Sequence, residues 1–337
     1  MNFVSEMFIV FLLVTWLTFM VIPARLRTVL LTIASYVFYA TWSLPFIGVI
    51  LLTTTVDYFA SRFIYDNFRS RRKRKAALLV AITINLLVLG LFKYLNLFLG
   101  TNNSLLSLAG IRNPLPPHLD IILPLGISYY TFEAISYVVD VYRGGKPANN
   151  LWNYNFYIMY FPHLISGPII RYGELRKQYN DGLQRPSPDR IALGVELIIL
   201  GYIFKVAIAN NAALIADPVF ADPRAASSFA ALLGTLAFTT QVYFDFLGYT
   251  HIARGVSLLF NIQLPLNFDH PFCATNISNF WQRWQISLSL WIRDYLFIPL
   301  GGSRAGHVRT IFNLLLIMAI AGAWHGAGWT YIVWGLF

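Results

Sequence analysis

The sequence predicts an all-α protein, a polytopic transmembrane helical bundle with re-entrant and amphipathic helices. Of its 337 residues, 57% are hydrophobic and only 12% are charged, whereas an average soluble domain carries about 25% charged residues. Several uncharged runs also reach the roughly 20 residues that an α-helix needs to cross a bilayer. We therefore expect one continuous transmembrane domain over residues 1–337.

The basic residues lie mainly at the ends of the apolar runs. A formal charge of +10 could suggest nucleic-acid binding, but this distribution is typical of membrane topology and of contact with anionic lipid. The basic run Arg69–Lys75 is closely flanked by apolar segments, so it indicates a cytoplasmic loop. We expect membrane lipid as a partner and no nucleic acid.

The first helices follow from the positions of charged residues and proline. Residues 3–22 are predicted to form an uncleaved span with its N-terminus outside, because Glu6 lies early in the run and Arg25 follows it. The apolar stretch 28–61 is interrupted by Trp42-Ser-Leu-Pro45. It therefore forms either two spans or one span and a re-entrant piece.

The middle of the chain alternates between apolar runs and polar or broken segments. Residues 76–99 read as a span, and the polar segment 100–120 is placed outside. The aromatic segment 151–170 is interrupted by proline and glycine and has basic residues on both sides. It is predicted to be re-entrant, because irregular backbone is tolerated in a membrane only under a cover of protein or inside a cavity. The other predicted regions are an inward span at 121–141, spans at 190–215 and 228–249, and a mixed region at 250–277.

Residues 279–298 show the pattern of one amphipathic helix. Tryptophan, leucine and tyrosine recur on one side at helical spacing, while Gln285, Ser289 and Arg293 lie four residues apart on another side. Such a helix could lie in the membrane interface. It could equally turn its polar side toward an internal, water-filled cavity.

A single histidine, His325, sits in the otherwise uncharged run 311–337. An imidazole at membrane depth is costly without a partner, so it is a candidate functional residue, and it can act as a general base near neutral pH. The alternative is a core histidine that is hydrogen-bonded to a neighbouring helix. The run reaches Phe337 without a polar flank, from which we expect a C-terminally truncated sequence.

Four further ionisable residues are candidates for a site. Asp245 and Asp294 could orient an imidazole or a substrate hydroxyl, or could pair with arginines, and the adjacent Arg293 favours pairing for Asp294. Arg283 and Arg293 could hold the phosphate of an acyl donor, or could extend toward lipid headgroups. The single Cys273 excludes an internal disulfide and gives no metal-binding pattern.

Five motifs occur in a fixed order along the chain. They are FWQRWQISLSLWIRDYLFIPLGG at 280–302, LPLGISYYTF at 123–132 continuing to DVYR at 140–143, FPHLISGP at 161–168, QVYFDFLGY at 241–249 and WHGAGW at 324–329. Together the motifs resemble those of the membrane-bound O-acyltransferase (MBOAT) family. The resemblance is strongest to the branch that contains the membrane subunit of bacterial alginate O-acetylation.

This resemblance implies tilted helices around a narrow central passage. It also implies acyl transfer from a cytoplasmic thioester to a hydroxyl group on the other side of the membrane or within it. It implies His325 as the catalytic base, acetyl-CoA or another acyl thioester such as an acyl carrier protein as donor, and no permanently bound cofactor or metal. It also implies the bacterial inner membrane, a polysaccharide acceptor and a periplasmic acetyltransferase partner. The residues expected to line the passage or hold the donor are Gln285, Ser289, Arg293, Arg283, Asp245 and Trp324.

The sequence departs from the family pattern at two positions. Gln285 stands where the family usually has histidine, and a glutamine cannot take up a proton at neutral pH. His251 stands where an acidic residue is usual, and it is interpreted as an ordinary interfacial histidine. Acylation of peptidoglycan and D-alanyl transfer to teichoic acid are close enzymatic alternatives. The change at Gln285, or truncation, also leaves open a non-catalytic acyl conduit or scaffold.

Overall fold

The computed structural model describes residues 1–111, 116, 118–180, 182–304 and 306–337. Every regular element within these ranges is a helix, which confirms the predicted all-α class. Five helical segments are long and apolar enough to cross a membrane. They are Pro45–Asp66, Arg71–Leu108, Pro188–Ala221, Ser228–Leu259 and His307–His325.

The described residues form two compact units. Unit 1 comprises Met1–Trp42 and Met159–Ser287, and unit 2 comprises Ser43–Ile158 and Leu288–Phe337. The following helices lie in unit 1: α1 (Glu6–Val21), α2 (Ala24–Ala40), α8 (Phe161–Leu164), α9 (Tyr172–Tyr179), α10 (Pro188–Tyr202), α11 (Asn210–Ala221), α12 (Ser228–Leu259) and α13 (Ile277–Arg283).

Unit 2 holds the other helices, and α14 begins at the boundary between the units. They are α3 (Pro45–Asp66), α4 (Arg71–Leu89), α5 (Leu95–Leu108), α6 (Ile127–Tyr142), α7 (Leu151–Met159), α14 (Ile286–Ile292), α15 (His307–His325) and α16 (Trp329–Leu336). One π-helical turn, Gly90–Tyr94, joins α4 to α5, and another, Arg293–Phe297, follows α14. A third π-helical turn, Ile203–Ala209, joins α10 to α11 in unit 1.

In unit 1, α10 and α12 pack through glycines. A side chain on Gly194 would meet the Gly255 carbonyl oxygen at 2.9 Å, and one on Gly201 would meet the Gly248 carbonyl oxygen at 2.7 Å. Both distances are too short for a Cβ atom, so the two helices approach as closely as their backbones allow. Small residues are the usual means of such packing between membrane helices.

Several predicted boundaries are confirmed and others are wrong. The interruption at Trp42–Pro45 does separate two helices, and segment 151–170 contains only the short helices α7 and α8. The segment predicted as an outside loop, 100–120, instead begins inside α5, which continues to Leu108. Residues 112–115 and 117 of that segment lie outside the described residues. Helix α12 likewise extends ten residues into the mixed region 250–277 and ends at Leu259. The polar residues His251 and Arg254 therefore lie inside a helix.

Candidate functional site

His325 is the last residue of α15. Residues Gly326-Ala-Gly328 follow it, with extended backbone at both glycines, and α16 begins at Trp329. The run 311–337 is therefore two helices rather than one crossing segment. The imidazole lies at a helix end, where the chain turns, and not in the middle of a span.

The turn after His325 is tightened by close packing of α15 against α16. A Cβ on Gly322 would overlap the Tyr331 carbonyl oxygen and lie 3.0 Å from Gly335 Cα. Both glycines are buried. The two helices are thus in backbone contact one turn before the histidine, which fixes the direction in which the turn leaves α15.

Two indole rings flank the imidazole of His325. The Trp324 ring centroid lies 4.8 Å away and the Trp334 ring centroid 5.3 Å away, both edge to face. Trp324 is buried, whereas His325 and Trp334 are exposed. The imidazole is accessible and therefore is not the buried core histidine that was the alternative.

The carbonyl groups at the end of α15 are held by two adjacent side chains. Lys93 Nζ donates a hydrogen bond to the Trp324 carbonyl oxygen and another, at 3.1 Å, to Ser128 Oγ. The Tyr94 hydroxyl donates to the Ala323 carbonyl oxygen at 2.8 Å. The last carbonyls of a helix lack partners within the helix, so these two side chains cap α15 next to His325.

Lys93 and Tyr94 were not among the predicted site residues. Lys93 stands alone in the apolar run Leu86–Asn96, and a charged residue inside a span is itself a signal of function. The π-helical turn that carries both side chains has no comparable signature in the sequence. Turns of this kind are frequent at functional sites.

Trp324 belongs to an aromatic cluster with Tyr129, Phe132 and Trp291. The Phe132 ring stacks on Trp291 at 4.2 Å and on Trp324 at 5.6 Å, and Tyr129 packs edge-on against Trp324 at 5.3 Å. Trp291 Nε1 also donates to the Phe132 carbonyl oxygen at 3.0 Å. The Trp324 indole N–H is buried and has no hydrogen-bond partner among the described residues, so it is a donor available to an entering molecule or water.

The polar residues after α14 are engaged with one another and with α6. Tyr295 donates to both carboxylate oxygens of Asp140 at 2.8 Å. Arg293 Nε pairs with Asp294 Oδ1 at 2.7 Å, as the adjacent charges favoured. Arg143 donates to the Asp294 carbonyl oxygen at 3.0 Å. Ser289 is half-buried and Arg293 is exposed, and both lie in unit 2.

The prediction of one amphipathic helix over residues 279–298 is wrong, because the helix is interrupted at Trp284 and Gln285. Gln285 is buried and has a φ of 43°, the left-handed region that L-residues other than glycine rarely adopt. Two long-range hydrogen bonds hold the break: the Ile286 amide donates to the Asn267 carbonyl and the Asp269 amide to the Arg283 carbonyl. Gln285 therefore does not share a helical face with Ser289 and Arg293.

The two other predicted residues of unit 1 are both in ion pairs. Arg283 lies 3.8 Å from Asp269 Oδ2, and its guanidinium donates to the Asp269 carbonyl oxygen at 3.2 Å. Asp245 pairs with Lys205 Nζ at 2.5 Å, and its side chain is 49% exposed. Asp245 is thus not the buried carboxylate that the apolar sequence suggested, and its partner is a lysine rather than an arginine.

Another buried carboxyl group was missed. Asp57 lies within the span α3 and is fully buried. Asn85 Nδ2 donates to its Oδ1 at 2.7 Å, and the Tyr154 hydroxyl to its Oδ2 at 3.4 Å. Among the described ranges, no group of three or more His, Cys, Asp or Glu side chains is placed to hold a metal ion.

The sequence profile of the membrane-bound O-acyltransferase family matches residues 147–337, and the chain belongs to this family. The resemblance found in the motifs is thereby confirmed.

Three curated proteins illustrate the similarity. The chain is 42% identical to the probable alginate O-acetylase AlgI of Azotobacter vinelandii, over 93% of this chain and 62% of that protein. It is 35% identical to the peptidoglycan O-acetyltransferase of Helicobacter pylori, over 91% and 62%. It is 33% identical to the teichoic acid D-alanyltransferase of Bacillus subtilis, over 66% and 58%. The chain thus spans about three fifths of the length of these relatives.

Proposed function

We propose that this protein is a membrane O-acyltransferase that moves an acetyl or similar acyl group from a thioester to hydroxyl groups of a polysaccharide. The observation that carries the proposal is the accessible imidazole of His325 at the capped end of α15, between two indole rings. A base in that position is accessible to an acceptor hydroxyl and can activate it by withdrawing its proton.

The proposed chemistry needs one base. The imidazole takes the proton of the acceptor hydroxyl, and the hydroxyl oxygen forms a bond to the thioester carbonyl carbon. The carbon–sulfur bond then breaks, and the leaving thiolate takes the proton from the imidazolium. The products are an oxygen ester on the polymer and a free thiol on the donor, with no oxidant or reductant.

The names of the relatives support the type of reaction. Two are O-acetylating proteins and the third is a D-alanyltransferase, and their acceptors are named as alginate, peptidoglycan and teichoic acid. Because the alginate O-acetylase is the most similar of the three, we propose an alginate-type polysaccharide as acceptor and acetyl as the transferred group.

The topology and partners are part of the same proposal. We infer that the basic run Arg69–Lys75 faces the cytoplasm of a bacterial inner membrane, that the N-terminus lies outside, and that a single domain contains the site. Acetyl-CoA or an acyl carrier protein would then deliver the acyl group from the cytoplasmic side. A periplasmic acetyltransferase partner would work with this protein in acetylating the polymer.

The proposal is tested with the whole protein in inverted membrane vesicles supplied with acetyl-labelled acetyl-CoA. We expect label to appear in the polymer fraction as ester that mild alkali releases, in the wild type and in a Cys273→Ser control, and to be lost in His325→Ala. Label in peptidoglycan alone would move the assignment to peptidoglycan acylation, and transfer of D-alanine to teichoic acid would move it to that reaction. No labelled ester in any fraction would overturn the proposal, and activity gained only by Gln285→His would support a scaffold.

A further inference from the structure

Lys93 is the most unusual polar residue near His325. It lies inside the 38-residue apolar helix Arg71–Leu108, on the π-helical turn Gly90–Tyr94. A lysine in such a position carries a free-energy cost and is retained where it interacts with specific partners. The mechanism proposed above makes no use of it.

The contacts of Lys93 converge on the residue next to the proposed base. Its ammonium group donates to the Trp324 carbonyl oxygen and to Ser128 Oγ at 3.1 Å. It also lies 5.9 Å from the centroid of the Trp324 ring, close enough for a cation–π contact. One cation thus contacts both the backbone and the side chain of the residue that precedes His325.

The π-helical turn carries two consecutive side chains that reach the same helix end. In a regular helix, adjacent residues point about 100° apart. Here Lys93 and Tyr94 both donate to α15, at the Trp324 and Ala323 carbonyl oxygens. Both hydrogen bonds satisfy carbonyl groups that the last turn of α15 leaves without partners inside the helix.

We propose that Lys93 is a positioning residue of the acyl-transfer site, whose ammonium group fixes the Trp324 end of α15 and thereby the approach of the His325 imidazole to substrate. The inference rests on the proposed function. Tyr94 provides the comparison that separates positioning from a purely structural cap, because it caps the same helix end without a charge. A structural cap predicts similar losses for both residues, whereas positioning by the cation predicts a larger loss for Lys93.

The test compares Lys93→Met, Lys93→Arg and Tyr94→Phe in the whole protein, in membranes, with labelled acetyl-CoA as the probe. We expect kcat to fall about 100-fold in Lys93→Met, the loss that a misplacement of about 1 Å can cause, with KM for the donor within about threefold. Lys93→Arg regains at least about tenfold because it restores a cationic donor, and Tyr94→Phe loses less than about fivefold.

Two results would overturn the inference. One is a kcat for Lys93→Met within threefold of the wild type. The other is an equal loss in Lys93→Met and Tyr94→Phe that follows a loss of thermal stability, which is the behaviour of a cap alone. His325→Ala, measured alongside, separates the two proposals: if it abolishes transfer while Lys93→Met does not, only the role of Lys93 fails. If His325→Ala is fully active, the proposed base fails.

Discussion

Replacement of Gly335 by alanine tests whether backbone contact between α15 and α16 positions the candidate site. The added Cβ would overlap the Met318 carbonyl oxygen and lie 2.9 Å from Gly322 Cα. Carbon atoms in favourable contact are about 3.5–4.0 Å apart, so α16 must move by about 0.6–1 Å. Overpacking of this size costs about 1–3 kcal/mol, and a shift of this size beside a catalytic group can reduce activity about 100-fold.

The matched control is Gly328→Ala. A Cβ on Gly328 would have its nearest neighbours at 3.5 Å, an ordinary contact, and the backbone there is extended. Thermal unfolding in detergent and acetyl transfer in membranes are measured for both variants. We expect Gly335→Ala to unfold at a lower temperature and transfer more slowly than Gly328→Ala. Equal stability and equal transfer in the two variants would refute the packing argument.

Three further outcomes are expected. Gln285→Gly relieves left-handed strain of about 1–2 kcal/mol, but it also removes a buried side chain and adds freedom to the unfolded chain. We therefore expect thermal stability to change by less than about 1 kcal/mol, and a fall in transfer at that stability would indicate that the amide contacts substrate. Asp57→Asn keeps one oxygen that accepts from Asn85, and its amide nitrogen can donate to the Tyr154 hydroxyl, which can also accept. Unfolding in detergent then shifts by less than about 1 kcal/mol, whereas Asp57→Leu costs about 1–3 kcal/mol. Trp324→Phe keeps a stacking ring but removes the indole N–H, and slower transfer at unchanged stability would show that this donor is used; unchanged transfer would exclude it.

Much of the helical architecture could be predicted from the sequence because apolar length and proline are direct physical signals. The break at Pro45 is one example, since proline begins α3 there. The end of α15 was also within reach, because the glycines at 326 and 328 directly follow His325 and glycine is a common stop signal. The apolar run 311–337 continues through these glycines and is long enough for one span, which favours a single helix.

The break at Gln285 could not be predicted in this way. The aromatic periodicity of residues 279–298 continues through it, and glutamine is not a residue that marks left-handed backbone. The conformation is held by the carbonyl of Asn267 and by Asp269, which are distant in sequence. A pattern within one segment therefore carries no information about it.

The ion pairs and the cap of α15 depend on tertiary structure for the same reason. Asp245 meets Lys205 from another helix, and Lys93 meets the Trp324 carbonyl more than 200 residues away. A charge in an apolar run indicates that a partner exists, but the partner is decided by helix packing. The family resemblance implies a role for His325, whereas the hydrogen bond from Lys93 to the adjacent Trp324 carbonyl is seen only in the folded chain.

The central claim is that the His325 imidazole acts as the base in acyl transfer, and His325→Gln tests it most directly. Glutamine is similar in size and can form hydrogen bonds, but it cannot take up the hydroxyl proton. We expect single-turnover transfer of labelled acetyl to fall by about 10²–10⁴-fold, the contribution typical of general-base catalysis, with unchanged thermal stability and donor binding. Transfer within threefold of the wild type would contradict the claim.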